Sequence, residues 1–299
     1  MTDAPRLSVV IPTFNNADVL ATCLAAWERH AGAQEVEVIV VEDGCRDRTR
    51  QLLEERSRSP WGRRCLRWLH EDNVHELRST NRGFSEARAQ LVVAWQDDMF
   101  LRVPWLVPEL LRTFNRYDDL GLVCLSRGLN CIPIDEPIET WEDLVDWRRL
   151  QSTIGPRPLN WVRLQEVDIV IRPWAVRRAC LDQVGMLDEA FVPTEWDEAD
   201  LSFRIRRANW RVATHGYERL GAYFHLGSTT VGVLSEAYKR RVVSNGLLFH
   251  DRWDDTIRRD APRTRRTWWR RSTASGWVHT SMAAAQALAG AIGGRNGHQ

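Results

Sequence analysis

Leu91-Val92-Val93-Ala94-Trp95-Gln96-Asp97-Asp98 is an apolar run that ends on two adjacent carboxylates. A continuous apolar run of this length reads as a strand buried on both faces. Two carboxylates side by side repel each other unless something compensates them. A divalent cation would do so, because Mg²⁺ and Mn²⁺ take oxygen ligands and commonly use one or two carboxylates plus substrate phosphates. On its own the stretch is equally open to a second reading, a solvated loop after a strand.

The same pattern occurs upstream. Leu7–Ile11 is a compact apolar run that stops at Pro12, and Val36–Val41 is another that stops at Glu42-Asp43-Gly44. Leu66–His70 and Leu120–Leu125 supply further strands. Between the strands, Leu20, Cys23, Leu24 and Trp27 recur at helical spacing. Asn15 or Asn16 is placed to cap that helix, and Asp47 to cap a second over Arg48–Arg56. A short helix is expected over Phe84–Gln90. Another opens at Pro104, with Leu106, Leu110, Leu111 and Phe114 inward. Farther along, Val167–Ile171 reads as a strand, Trp174–Gln183 and Asp197–Ala208 as helices, and Tyr223–His225 as a last strand. This alternation predicts an α/β fold with a mostly parallel, Rossmann-like sheet flanked by helices. Ligands in such sheets bind beyond the carboxyl ends of the strands. That rule directs attention to Pro12–Asn15, Glu42–Gly44 and Gln96–Asp98.

Composition bounds the rest. The chain has 299 residues, a formal net charge of +1, 43% hydrophobic and 27% charged residues. Those values exclude a disordered or collagenous chain, and the balanced charge gives no global reason to bind nucleic acid. Lys239 is the single lysine among 41 basic residues. The six cysteines form no CxxC pair and no zinc-ligand spacing, so buried reduced thiols in a cytoplasmic protein are expected. The first apolar run lacks a basic leader, and no stretch approaches the ~20 apolar residues of a bilayer span.

Residues 1–230 are expected to form one domain, with 126–165 a loop-rich insertion on the acceptor side. Residues 231–299 read as a helical, Arg- and Trp-rich extension, including an Ala-rich stretch over Ser281–Ile292. Over 256–271, seven Arg stand against Asp260, a net of +6, beside Trp268 and Trp269. That stretch suits peripheral contact with an anionic membrane on its inner face. It suits equally a solvated arm or a partner for the acidic remainder.

Two further constellations carry chemistry. Glu195-Trp196-Asp197-Glu198-Ala199-Asp200-Leu201 places four acids ahead of a helical pattern. Acids there interact favourably with the helix dipole, and one of them is also suited to accept a proton from a hydroxyl. His225 ends an apolar strand, as a neutral metal ligand or a structural imidazole. The dinucleotide loop, the phosphate loop and the nucleophile elbow are all missing from the sequence.

Together these motifs resemble family 2 glycosyltransferases with the GT-A fold, over about residues 7–230. Ser8–Asn15 looks like the family's opening strand and loop, and Val40–Cys45 with Asp47-Arg48-Thr49 looks like its second motif. Asn81-Arg82-Gly83 and Ala87-Arg88 match the stretch before the metal motif. Gln96-Asp97-Asp98 sits where the family has its Asp-x-Asp. Asp197–Leu201 with Arg204 and Trp210-Arg211-Val212 matches the acidic motif that supplies the base. The resemblance implies an inverting transfer of one sugar from a UDP-, dTDP- or GDP-linked donor to an acceptor hydroxyl. It implies donor contacts at Pro12, Thr13, Phe14, Asn15, Glu42, Asp43, Arg88, Gln96 and Asp97. It implies Mn²⁺ or Mg²⁺ at Asp98, with His225 as a late ligand, and Glu198 as base with Asp197 the runner-up. The sequence departs from the family at Glu42, at Gln96 and in the Asp-Glu order of the base motif. The processive synthases' QxxRW motif is missing, which favours single additions over polymerisation. The competing readings are a nucleotidyltransferase, which usually needs a basic Gly-rich loop near the N-terminus, and an inactive nucleotide-sugar-binding protein.

Overall fold

The computed structural model describes residues 5–31, 35–126, 128–131, 150–152, 164–227 and 236–270, with only the backbone described over 150–152 and 261–270. The insertion expected over 126–165 lies largely outside the described residues, as does the Ala-rich stretch.

In chain order, β1 (Leu7–Thr13), α1 (Ala17–Ala31), β2 (Val36–Asp43), α2 (Thr49–Ser57), α3 (Pro60–Cys65) and β3 (Leu66–Glu71) form the first half of the sheet. Next come α4 (Glu76–Glu86), β4 (Leu91–Ala94), β5 (Met99–Leu101), α5 (Leu106–Arg116), β6 (Leu120–Cys124), β7 (Leu129–Cys131), β8 (Leu150–Ser152) and β9 (Gln165–Glu166). The chain continues through β10 (Trp174–Arg177), α6 (Arg178–Val184), α7 (Asp197–Arg207), β11 (Arg211–Thr214), β12 (Tyr223–His225) and α8 (Glu236–Arg270). The main sheet has eight strands in the order β3-β2-β1-β4-β10-β6-β11-β9. The pairs β1–β2, β1–β4, β2–β3 and β6–β11 are parallel, while β10 runs antiparallel between β4 and β6.

Every residue of β1 and β2 is buried, as expected of strands covered by helices on both faces. One face packs Leu20, Leu24 and Trp27 of α1 and Leu110 and Phe114 of α5 against the sheet. The other packs Leu77 and Phe84 of α4, Leu201, Phe203 and Ile205 of α7, and Val242, Phe249 and Trp253 of α8. Gly83 lets α4 approach β1 closely, since a Cβ there would meet Val10 Cγ1 at 2.2 Å.

Three elements differ from expectation. The helix expected over Phe84–Gln90 runs instead over Glu76–Glu86, because its packed face uses the small polar residues Ser79, Thr80 and Gly83 beside Leu77 and Phe84. Trp174–Arg177 is a strand before the helix, held by ladders to β4 and β6 that no local periodicity reveals. Val167–Ile171 is not a regular strand: Ile169 makes an isolated bridge to Leu129, and the regular pairing falls at Gln165–Glu166. The extension expected from residue 231 onward belongs, as far as Ile257, to the same core as the sheet. Among the described residues no helix is long and apolar enough to cross a membrane.

Candidate active site

Parallel register brings the carboxyl ends of four strands to one rim. Thr13 pairs with Glu42, Glu42 with His70, and Val10 with Ala94, just ahead of Gln96. Trp174 pairs with Ala94 from the antiparallel side, so the Arg172-Pro173 entry to β10 arrives at the same rim.

Trp95 anchors the metal motif. Its ring is fully buried, edge-on to Trp27 and Tyr223, and its Nε1 donates to Met99 O at 2.9 Å. The loop is thereby folded back, and Asp97 and Asp98 are buried beside each other. Thr13 Oγ1 donates to Asp97 Oδ2 at 2.7 Å, which ties the first-strand loop to the motif. Burial pushes the Asp97 carboxyl up to about 7, with the Asp98 charge adding to the effect. Asp98 Oδ1 lies 3.4 Å from His225 Nε2, and that contact raises the imidazole's affinity for a proton. His225 is placed by the antiparallel pairing of β12 with β5, His225 opposite Met99.

These residues fit a divalent cation in part. Two adjacent buried carboxylates with no Arg or Lys against them among the described residues are a cation's natural counterpart, and imidazole nitrogen completes an O,O,N set. Among the described residues no group of three such ligands stands preformed. The set therefore suits an ion that also takes phosphate oxygens.

The second motif is at the rim, but its acids bind their own loops. Glu42 is wholly buried: its carboxylate accepts from Cys45 N and contacts His70 Nδ1 at 2.6 Å. Asp43 accepts from Val74 N at 2.7 Å and His75 N at 2.9 Å. Asp47 serves two helices, taking Thr49 N at 3.0 Å and Ala17 N at 3.0 Å, so this loop holds the start of the first helix as well as the second. Asn15, at φ 49°, accepts from Arg46 N at 2.7 Å, and Phe14 is left exposed beside it.

Arg88 is not brought to this group. It precedes β4, and its guanidinium and backbone N–H both donate to Glu37, at 2.8 and 2.6 Å. Glu37 pairs with Ser8 at the opening of the sheet. Five residues of strand separate it from Glu42, about 16 Å at ~3.3 Å per residue. Arg88 therefore closes the opposite edge of the sheet.

The base motif opens α7, facing the metal motif across Arg172. Glu198 accepts from Arg172 N at 3.0 Å, Arg172 Nε at 2.7 Å and Trp174 Nε1 at 2.9 Å. Arg172 also pairs with Glu76 and lies 3.9 Å from Asp197. Glu76 in turn accepts from Gln96 Nε2 at 3.5 Å. Metal motif, α4 and base motif are thus linked through Gln96, Glu76, Arg172 and Glu198. Asp197 Oδ2 is buried with no hydrogen-bond partner. Burial, reinforced by the Glu198 charge, pushes its carboxyl up to about 8 against the pull of Arg172. Burial thus favours the protonated form of Asp197, whereas Glu198 faces three N–H donors, the arrangement a carboxylate accepts. The side chain of Glu198 is also the more accessible, 17% exposed against 3% for Asp197.

Glu195 and Trp196, just ahead of these acids, both adopt left-handed backbone, with φ of 78° and 69°. Helix α8 holds them there. Buried Asn245 donates to the carbonyls of Phe191, Thr194 and Glu195 at 2.9, 2.9 and 3.2 Å. Tyr238 donates to Glu195, and the Trp196 ring lies against Phe249 at 5.1 Å. Glu76, Arg172, Trp174, Tyr238 and Asn245 were not singled out from the sequence. Arg172 alone carried a readable signal, since it follows the apolar run Val167–Ile171 as the acids follow theirs.

The sheet order, with acids from three chain segments at one rim, is that of a GT-A fold. The solved structure of S. aureus TarS 1–349 superposes with a TM-score of 0.50 over 84% of this chain and 73% of that one, at 13% identity. The family model described as glycosyl transferase family 2 matches residues 8–180. The chain belongs to that family. A curated relative, the undecaprenyl-phosphate 4-deoxy-4-formamido-L-arabinose transferase of Edwardsiella ictaluri (strain 93-146), is 29% identical over 126 residues. That match spans 40% of this chain and 38% of the relative's length.

Proposed function

We propose that this chain is a glycosyltransferase that moves one sugar, with inversion, from a nucleoside-diphosphate sugar to an acceptor hydroxyl. The observation that supports it is the linkage of Asp97 and Asp98 to Glu198 through Gln96, Glu76 and Arg172 on one rim. The nucleotide lies against Pro12–Asn15, where Phe14 and Asn15 offer the exposed surface. Glu42 and Asp43 shape that shelf by fixing the loops at Cys45 and Val74-His75. Asp98, with Asp97 and His225, would hold Mn²⁺ or Mg²⁺, which when bound neutralises charge on the departing diphosphate.

Glu198 takes the acceptor's proton as its oxygen attacks the anomeric carbon from the face opposite the diphosphate. Arg172 and Trp174 fix the orientation of the carboxylate, and Asp197, protonated, adds no charge against it. Positioned general-base help of this kind is worth about 10²–10⁴-fold. The reading extends to an acceptor at a membrane surface, supported by the net positive charge over 256–271 and by the lipid phosphate in the relative's name.

The test is a panel of UDP-, GDP- and dTDP-hexoses with Mn²⁺. One nucleoside diphosphate should raise Tm, because binding to the native state stabilises it, and its sugar should be turned over. Equal release of nucleoside diphosphate in EDTA would remove the cation from the reading. Failure of the full chain to sediment with anionic vesicles at low salt would remove the membrane contact.

A further inference from the structure

We infer that Arg172 is the positioning residue of the base: it aims Glu198, and its guanidinium is shared with Glu76. This rests on the proposed role of Glu198 as base.

Arg172 is charged and only 7% exposed at its side chain, and it is surrounded by acids from different parts of the chain. Glu76 comes from the start of α4, and Asp197 and Glu198 from the start of α7. One guanidinium therefore answers three carboxyl groups. A buried cation of this kind persists only when paired and hydrogen-bonded. Its planar fork reaches several acids at once, which an ammonium cannot do. The Nε and backbone N–H of Arg172 grip the two oxygens of Glu198 separately, at 2.7 and 3.0 Å, so the carboxylate plane is fixed by this one residue. Trp174 Nε1 adds a third donor from the strand that Arg172 leads into.

The titratable and charged groups facing Glu198 are Arg172, Asp197 beside it, which burial holds toward its protonated form, Glu76 on α4, Cys124 of β6, and Glu195, whose carboxyl is held by Tyr238 of α8. An opposite charge beside a carboxyl favours its ionised form, and like charges oppose it. Loss of Arg172 must therefore raise the pH at which the base becomes active. Loss of Glu76 must lower it, because the guanidinium is then shared among fewer acids. Two substitutions in contact with each other thus move one titration in opposite directions, which a purely structural role does not produce.

The experiment compares full-length Arg172→Gln, Arg172→Lys, Glu76→Gln and Glu198→Gln, using the hexose donor that wild type turns over in the nucleotide-sugar panel. Arg172→Gln should lose about 10²-fold in kcat, as expected for a misaimed catalytic group. Its Tm rise with the matching nucleoside diphosphate and Mn²⁺ should be retained. The acidic limb of its kcat/KM profile should move up by about 1 pH unit, the lower end for losing an opposite charge nearby. That of Glu76→Gln should move down. Guanidinium ion should restore part of the Arg172→Gln rate where equal NaCl does not, and Arg172→Lys should fall between wild type and Arg172→Gln. An unmoved acidic limb in both Arg172→Gln and Glu76→Gln, or wild-type kcat in Arg172→Gln, overturns the inference. If Arg172→Gln does not fold, the downward shift in Glu76→Gln decides alone. Full activity in Glu198→Gln overturns the base assignment instead, so the two failures are told apart.

Discussion

Replacement of Glu198 by Gln keeps the shape of the side chain and removes its charge, and its consequences follow from the contacts around it. The amide oxygen can still accept from Arg172 Nε or Trp174 Nε1, both of which point at Oε1. What disappears is the capacity to take a proton, and with it the acceptor that Oε2 offers to Arg172 N. If Glu198 is the base, kcat falls by about 10²–10⁴, which is about 2.7–5.4 kcal/mol of barrier at 1.36 kcal/mol per factor of ten. The fold should not follow. Arg172 keeps Glu76 at hand, and Asp197 loses the neighbouring charge that helps hold it protonated, so it ionises more readily and takes over the pairing. Expected, then, is a collapse in turnover with Tm near wild type and an unchanged Tm rise with nucleoside diphosphate and Mn²⁺. Differential scanning fluorimetry beside a coupled nucleoside-diphosphate assay reads both quantities on one preparation. Turnover within about threefold of wild type refutes the assignment. A Tm loss that tracks the rate loss refutes the argument that Asp197 compensates.

Three other outcomes are expected. Asp197→Asn removes a carboxyl whose folded-state value lies near 8, above its unfolded value, so wild type loses stability as pH rises toward 8 while the variant does not; the Tm difference between them should grow in the variant's favour from pH 5 to pH 8. Asn245→Ala leaves three loop carbonyls without their buried donor, and it should cost about 1–3 kcal/mol in urea unfolding and lower kcat more than it raises donor KM. Arg88→Ala breaks only the pairing with Glu37 at the far edge, so donor KM should stay at its wild-type value while Tm falls.

The strands of the donor half were legible because burial on both faces leaves little in them but Val, Ile and Leu. The acids at their ends were legible for the complementary reason, that charge at such a place needs a purpose. Strand β10 was not, because its position depends on ladders to β4 and β6, partners some 80 and 50 residues away in the chain. Helix α4 was foreshortened because it buries Ser79, Thr80 and Gly83, which carry almost no hydropathy signal. Arg88 was drawn toward the site by its closeness in sequence to the metal motif, yet a strand crossed from end to end separates the two. The acidic run that opens α7 was legible, but its surroundings were not, since Arg172, Glu76 and Asn245 converge only through tertiary packing.

The family match ends at residue 180, whereas the acids of α7 and the helix that braces them lie entirely beyond it. Glu198 and the helix that braces its loop therefore come from beyond that match, while Arg172 and Trp174, which hold it, and Glu76, which pairs with Arg172, come from within it. A chimera of family members spliced near residue 185 would part Glu198 from its donors on Arg172 and Trp174, and would stay matched only where both parents carry those two residues and everything from Phe191 to Trp253 travels together. Splicing between Arg207 and Tyr238 would instead seat one parent's acids on the other parent's brace, and such hybrids should fold around an intact donor shelf yet turn over slowly.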